Sequence, residues 1–544
     1  MSVRIYDTTL RDGTQRAGMS LSCNDKIRVA QRLDAIGVAY IEGGWPGSNP
    51  KDAEFFERAR NMEWAHAKIT AFGSTRRVGV APEDDDNLKA LLDADTPTCT
   101  IVGKTWTLHV TDVLRTSLTE NLSLIEDSIR YLAGHNREVV YDAEHFFDGY
   151  GADREYALST LEAAISGGAS TVVLCDTNGG TLPWDLGAVV KEVVERFGDR
   201  AVVGIHCHND SECAVANSVA AVRSGARHVQ GTVNGYGERC GNANLCAIIP
   251  NVELKLGLSA LPEGSLAQLS DFAHFVAEVA NQAPDDYAAY VGRNAFAHKG
   301  GIHVAAMRRN PDSYQHITPE LVGNEMRVVV SELSGRGNLV SKAEEMAEQL
   351  GDGQDVSDVL RQIKENESRG FSYEAAEASV VLMLRRSSSD YRPPYQLVDY
   401  MVNVEHRDQR GTFAEATVKV NVNGEIMHTA AEGDGPVSAL DRALRKALLP
   451  AFPALADIKL VDYKVRILDG VFATSAITRV LIDSTNGQDR WGTVGASNNI
   501  IEASWSALTD AIEYGLSRAP GAEVGTPQPL EDEISGLLGL GVEH

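Results

Sequence analysis

The feature that most constrains the fold is a regular alternation of short β-branched segments with amphipathic stretches over the first half of the chain. This alternation is typical of parallel strands that are joined by crossover helices. Candidate strands recur roughly every 30 to 40 residues, a spacing that suits strand–helix units. The eight predicted strands are Val3–Tyr6, Ala39–Glu42, Lys68–Phe72, Thr98–Val102, Glu138–Asp142, Thr171–Cys175, Val202–His206 and His228–Thr232.

Eight strand–helix units close naturally into a (β/α)8 TIM barrel. The alternative is an open doubly wound sheet, but no G-x-G-x-x-G motif follows the first predicted strand. We therefore predict an α/β protein whose catalytic barrel spans residues 1–262. The first helix shows the local pattern, since Ser22 and Asp25 form a capping box and Gly37 follows the last apolar residue.

Two further regions and a tail are predicted after the barrel. Residues 263–390 read as a helical linker with a glycine-rich lid at Gly292–Gly337. Residues 391–518 read as an α+β domain of two βββα repeats, and residues 519–544 as a flexible acidic tail. Apolar periodicity predicts helices in the linker over Leu266–Val279, Leu339–Leu350 and Val356–Ile363.

Composition and charge exclude several classes of protein. The chain carries 76 acidic and 50 basic residues, and the formal net charge of −26 would repel nucleic acid. No run of about 18 apolar residues is present, so we expect neither a membrane span nor membrane partners. Seven cysteines without a C-x-x-C pair suit the reducing cytoplasm, which is the expected compartment.

Polar residues cluster where several predicted strands end, which is where barrel enzymes place reacting groups. His206 and His208 are two residues apart, so on an extended chain both imidazoles point to the same face. Asp12, after the first strand, supplies a carboxylate, and Asn242, after the eighth, supplies an amide oxygen. Two histidines of this kind are often merely buried, but their place at a strand end favours a divalent metal site. The ligand set leaves zinc, manganese and magnesium open.

Three motifs in a fixed order carry a more specific resemblance: DTTLRDG at Asp7–Gly13, HCHND at His206–Asp210 and GNANL at Gly241–Leu245. They resemble the Claisen-condensing branch of the DRE-TIM metallolyase superfamily, which includes 2-isopropylmalate, homocitrate and citramalate synthases. The likeness covers nearly the whole chain, because the βββα repeats resemble that branch's C-terminal regulatory domain. Ile41–Pro50 and Asp142–Tyr150 look most like the citramalate synthases and depart from the VGFP pattern of many isopropylmalate synthases.

This resemblance implies an acyltransferase that condenses acetyl-CoA with pyruvate and hydrolyses the thioester, giving (R)-citramalate and CoA for isoleucine biosynthesis. An α-keto acid can chelate a divalent metal, which then orients the acid and polarises its carbonyl. The alkoxide that forms needs fixed positive charge beside it, which Arg11 can supply. Arg11 could instead form a purely structural ion pair with Asp12 or Glu144.

The resemblance also suggests roles for Glu144 and Thr177. Glu144 would organise the reacting groups or move a proton, and its alternative role is to pair with Arg11. Thr177 would donate its hydroxyl to the carboxylate of the keto acid, although a threonine at a strand end often serves as a turn or helix cap.

His303 in the lid resembles the family histidine that enters the active site, in its own or a partner subunit. With Tyr314 it could form a pair that transfers a proton, because histidine is readily tuned to neutral pH. The alternative is a histidine that packs in an interface.

Other functions stay open at this point. Within the branch, the alternatives are 2-isopropylmalate synthase and homocitrate synthase. From different classes, they are an acyl-CoA lyase or aldolase and a catalytically silent amino-acid sensor. The duplicated C-terminal domain favours a synthase, because feedback inhibition by an end product needs a second site. We expect isoleucine as the effector and a homodimer as the assembly.

Overall fold

The computed structural model describes residues 2–331, 338–339, 356–388, 391–408, 411–468 and 476–518. The chain divides into two compact units, Met1–Phe296 with Gln315–Met326, and Ala297–Tyr314 with Arg327–His544. Among the described residues, no helix has the length and apolar character that crossing a membrane requires.

Eight strands form the wall of the first unit: β1 Arg4–Asp7, β2 Tyr40–Gly44, β3 Lys68–Ser74, β4 Thr98–Lys104, β5 Glu138–Glu144, β6 Thr171–Asp176, β7 Val202–Cys207 and β8 His228–Gly231. They are parallel, pair in sequential order and close through β1 and β8. This arrangement confirms the predicted TIM barrel. Strands such as β6 are buried along their whole length because helices cover the outside and side chains fill the inside.

Ten α-helices in the described part of the first unit follow the strands, sometimes two to a connection. Their bounds are α1 Cys23–Ile36, α2 Pro50–Ala59, α3 Asp86–Asp93, α4 Leu118–Gly134, α5 Phe146–Ala152, α6 Arg154–Gly167, α7 Pro183–Phe197, α8 Ala214–Arg223, α9 Leu245–Pro250 and α10 Leu269–Val279. The last of these realises the helix that apolar periodicity predicts over Leu266–Val279, and it belongs to the same compact unit as the barrel.

The ends of α1 show how the local sequence sets an element. Ser22 and Asp25 form the predicted capping box, each side chain bonding the other's backbone N–H. Gly37 ends the helix with a φ of 95°. A Cβ atom there would lie 2.2 Å from Cδ of Pro262, so both the backbone angle and the packing require glycine.

The second unit begins with short elements and then forms two βββα repeats. In chain order its elements are β9 Ala297–His298, α11 Gly301–Arg309, β10 Arg327–Val328, α12 Val356–Ser368, α13 Glu377–Arg386, β11 Gln396–Arg407, β12 Gly411–Val422, β13 Glu425–Gly433, α14 Pro436–Leu448, β14 Lys459–Ile467, β15 Thr478–Thr485, β16 Arg490–Ser497 and α15 Ile500–Ser517. Each repeat is an antiparallel three-stranded sheet with its middle strand at the centre. The predicted α+β domain is therefore confirmed.

Each repeat buries one face of its sheet under its own helix. Val418 and Val420 of β12 face Leu440 and Leu444 of α14 in a core without solvent access. The linker helix predicted over Val356–Ile363 lies within α12. Most of the helix predicted over Leu339–Leu350, and the whole predicted tail at 519–544, lie outside the described residues.

Candidate functional site

The turn after β1 places the first polar side chains of the site. The Asp7 carboxylate accepts hydrogen bonds from the backbone N–H and the hydroxyl of Thr9, at 2.9 and 2.7 Å. The backbone N–H groups of Arg11 and Gly13 both donate to the Thr8 carbonyl. This wound turn directs Arg11 and Asp12 into the C-terminal mouth of the barrel, as the motif at Asp7–Gly13 predicts.

Asp12, His206 and His208 converge there and form the one group of metal-ligand type among the described residues, with one ligand atom from each within 4.8 Å of the others. Nε2 of His206 lies 3.6 Å from Oδ2 of Asp12, and Nε2 of His208 lies 3.9 Å from it. These separations are too long for hydrogen bonds, yet they suit atoms that each lie about 2.1 Å from one shared cation.

Three buried atoms around this group have no hydrogen-bond partner among the described residues: Oδ1 of Asp12, Nδ1 of His208 and Oδ1 of Asn242. Asn242 donates its amide N–H to the Tyr236 carbonyl at 3.1 Å, which leaves its oxygen free to bind. Buried polar atoms without partners are rare in proteins. Their presence beside two imidazoles and a carboxylate fits a divalent cation.

The protonation states also suit a metal. Burial lowers the pKa of His206, and burial together with the His206 charge lowers the pKa of His208 to about 4, so both rings are neutral at pH 7. Burial alone would raise the pKa of Asp12, but the charge of Arg11 and, when they are protonated, the charges of the two histidines lower it below its ordinary value. Neutral imidazoles and an ionised carboxylate are the forms that bind metals.

Arg11 is held on two sides. Its Nε–H donates to Oε2 of Glu42 at 2.7 Å, and its Nη1 lies 3.2 Å from Oδ2 of Asp12. The guanidinium carbon lies 3.8 Å from the centre of the Phe72 ring. Burial opposes the charge of Arg11, but Glu42 and Asp12 raise its pKa, so the guanidinium stays charged.

Glu42 is a residue of the site that sequence reasoning missed. Its carboxylate is fully buried and also accepts hydrogen bonds from Tyr6, at 2.6 Å, and from Thr8. The signal was present, because Glu42 is the acid at the end of the second predicted strand. Of the two ion-pair partners expected for Arg11, Asp12 is present, whereas Glu144 is wrong, because Glu144 pairs with Lys104.

One cavity of about 520 Å3 is lined by Arg11, Asp12, His206 and His208 and by two of the other five predicted site residues. Glu144 and Thr177 line it together with Arg11 and the metal-ligand group. The Thr177 hydroxyl accepts a hydrogen bond from the backbone N–H of His145 at 2.9 Å, which leaves its own hydrogen free to donate. Phe72, Lys104 and Asp142 also line the cavity and were not predicted.

His303 and Tyr314 belong to the second unit, where they lie against each other. Their ring centroids are 4.3 Å apart at an interplanar angle of 26°, and both side chains are exposed. Among the cysteines at the strand ends and in the loops near the site, Cys175 and Cys207 are buried, and Cys240 is exposed in the loop after β8.

Three protein-family models match successive parts of the chain. The HMGL-like family model matches residues 2–276, the homocitrate synthase post-HMGL domain-like model matches residues 290–370, and the LeuA allosteric (dimerisation) domain model matches residues 374–516. The chain is 52% identical over 520 residues to an (R)-citramalate synthase of Geobacter sulfurreducens, covering 95% of this chain and 98% of that one.

A second (R)-citramalate synthase, from Aquifex aeolicus, is 52% identical over 98% of this chain and 99% of its own length. A 2-isopropylmalate synthase of Yersinia pestis is 29% identical over 94% of this chain and 95% of its own. The motifs that resemble citramalate synthases thus agree with identity over nearly the full length. The chain belongs to the (R)-citramalate synthase family, with an HMGL-like barrel and a LeuA-type C-terminal domain.

Proposed function

We propose that this chain condenses acetyl-CoA with pyruvate and water to give (R)-citramalate and CoA. The observation that carries the proposal is Arg11 beside the group of Asp12, His206 and His208 in one barrel cavity. A carbon–carbon bond forms between the acetyl methyl carbon and the keto carbon of pyruvate. Water then cleaves the thioester and releases CoA.

Asp12, His206, His208 and the Asn242 amide oxygen would hold the divalent cation, leaving magnesium, manganese or zinc as its identity. When bound, the cation supplies Lewis acidity that polarises the keto group. Arg11 stabilises the developing alkoxide, because its charge is already fixed by Glu42 and Asp12. Thr177 donates its free hydroxyl hydrogen to the carboxylate of the keto acid.

Glu144 and the pair of His303 and Tyr314 are the candidates for proton transfer. Lys104 keeps Glu144 beside the cavity as an ion pair, so Glu144 can orient the reacting groups. The stacked rings of His303 and Tyr314 hold an exposed imidazole that can take a proton from the acetyl methyl group in its own or a partner's site.

The choice of keto acid is tested by thiol release from acetyl-CoA with pyruvate, 2-oxoisovalerate and 2-oxoglutarate. We expect the highest kcat/KM with pyruvate, because a buried carboxyl at Asp142 gives an isopropyl group a poor surface to pack against. A preference for 2-oxoisovalerate would replace this proposal with isopropylmalate synthesis.

The remaining proposals concern regulation, assembly and compartment. We infer that isoleucine inhibits through the residues after 390 and that two copies assemble there. The first of the two sheets exposes apolar side chains on the face away from its helix, with Met401 57% and Ile426 58% exposed, which supports a covering partner. Light scattering tests the dimer, and inhibition by leucine rather than isoleucine would contradict the effector.

The seven free cysteines suit a reducing cytoplasm.

A further inference from the structure

Three buried side chains form a hydrogen-bonded series across the barrel interior, and its last member is His206. Nδ1 of His206 lies 2.9 Å from Oε1 of Gln230, and Nε2 of Gln230 donates to Oδ1 of Asp142 at 2.8 Å. Their exposed fractions are 5% for His206, 0% for Gln230 and 3% for Asp142. Gln230, the central member, has no exposed surface through which water could replace its two bonds.

The barrel register explains how the series forms. His206 and Gln230 are paired positions on the neighbouring parallel strands β7 and β8, so their side chains point to the same face. Asp142 lies on β5, which is not a neighbour of β8 in the barrel, so the second hydrogen bond crosses the interior. The closed sheet fixes all three residues without a flexible loop.

We propose that Gln230 is a positioning residue that fixes the tautomer and orientation of His206 toward a bound divalent metal. This inference rests on the metal site of the proposed function. Nε2 of Gln230 faces Oδ1 of Asp142 and donates to it, and Oε1 of Gln230 faces Nδ1 of His206. Because that oxygen can only accept, Nδ1 of His206 carries the hydrogen. The lone pair then lies on Nε2, the atom nearer Asp12.

The neighbouring histidine lacks this support. Nδ1 of His208 is buried and has no hydrogen-bond partner among the described residues. The two imidazoles therefore differ, and only His206 has its second nitrogen held by a protein side chain. Groups that hold metal-bound histidines in this way typically change metal affinity about 10- to 100-fold when removed.

Titration of the metal-free enzyme with Mn²⁺ tests the role of Gln230. We expect Q230M, which keeps the side-chain length but loses both hydrogen bonds, to bind Mn²⁺ about 10- to 100-fold more weakly. Q230E keeps an acceptor for His206 and should bind more tightly than Q230M. The matched control is Asn217→Leu, which removes a fully buried amide that bonds the Thr181 carbonyl and does not touch His206.

The outcomes separate this inference from the proposed function. Unchanged Mn²⁺ affinity in Q230M, or equal weakening in N217L, would overturn the role of Gln230 alone. No Mn²⁺ binding by the unaltered chain would overturn the metal site itself. If Q230M fails to fold, nitrogen NMR of the metal-free, unaltered chain shows which ring nitrogen of His206 carries the hydrogen. The His206 signals are assigned by their loss in H206N. Hydrogen on Nδ1 supports the role, and hydrogen on Nε2 overturns it.

Discussion

Arg11 donates its Nε–H to Glu42 across 2.7 Å, and the Glu42 carboxylate has no exposed surface. Glu42, on β2, also accepts from Tyr6 and Thr8 at the end of the neighbouring strand β1, so its own position is fixed. The Phe72 ring covers one face of the guanidinium. The charge that the reaction needs is thus oriented before any substrate binds, which is how electrostatic stabilisation becomes effective.

Replacing Arg11 by lysine should lower kcat about 10²- to 10³-fold, because an ammonium cannot keep the planar contacts with Glu42 and Asp12. Thiol release with saturating pyruvate measures this, and Mn²⁺ affinity should change little. The control is R130K on α4, where the arginine side chain is 57% exposed. Full activity of R11K would remove Arg11 from the mechanism.

Removal of metal should abolish turnover and lower stability. Dialysis against a chelator should reduce thiol release to background, and Mn²⁺ should restore it. At about 100 times its Kd, a metal that binds only the folded chain adds about 2.7 kcal/mol, which thermal melting detects as a higher Tm. Asp12→Asn should lose this Tm increase, and Asp93→Asn, on the exposed side of α3, should keep it. Activity that survives complete chelation would contradict the site.

His303→Ala should lower kcat about 10²- to 10⁴-fold if the imidazole moves a proton. Mn²⁺ affinity should be unaffected, because His303 is not among the metal-ligand group. Tyr314→Phe keeps the stacked ring but removes the hydroxyl, so a loss of kcat in Y314F would assign the hydroxyl to the transfer. His135→Ala, at the exposed end of α4, is the control. Equal turnover in H303A and H135A would leave His303 a packing role only.

The Asp34 carboxylate should contribute to the free energy of unfolding in a pH-dependent way. Its carboxylate accepts backbone N–H bonds from Ala65, His66 and Ala67, each at 2.8 Å. Burial would raise the pKa of Asp34, but these three donors lower it below its ordinary value. A lowered pKa means that the contribution is complete above the pKa of the unfolded chain, about 3.9, and is lost as the pH falls through the folded value.

Asp34→Asn should therefore destabilise the chain by about 1–3 kcal/mol at pH 7, since the amide can accept through only one oxygen. The difference from the unaltered chain should shrink as the pH falls below about 4. Urea unfolding at both pH values measures it, with D93N as the control. A difference that stays constant with pH would show that the ionised carboxylate is not what matters.

Strand spacing sufficed to predict the barrel, because each strand and helix is set by local periodicity and caps such as Ser22 and Gly37. The spacing of His206 and His208 likewise placed two imidazoles on one face, because strand geometry alone determines that. Asn242 and Asp12 were found from motifs at strand ends. The structure brings Asp12, His206 and His208 together and bridges the backbone of Asn242 to that of His208, and Oδ1 of both Asn242 and Asp12 lacks a partner among the described residues.

The residues that were missed depend on register between strands far apart in the sequence. Lys104 and Glu144 are paired positions on β4 and β5. The two predicted strands end two residues before these positions, so the pairing could not be predicted. Gln230 pairs with His206 in the same way. Asp142 meets Gln230 across the barrel, a contact that no local pattern encodes. Glu42 could be noticed in the sequence as an acidic residue at a strand end. Its pairing with Arg11 could not, because that depends on where the fold places Arg11.

The closure of β1 onto β8 has a consequence for how the enzyme is assembled. Asp12 follows the first strand, His206 and His208 lie at the seventh, and β8 must insert between those two strands to bring them together. A nascent chain that ends before His228 therefore contains Asp12, His206 and His208, but nothing yet holds these three metal ligands together. We therefore expect the chain to bind metal only after β8 has paired with β7 and β1, which happens late in synthesis.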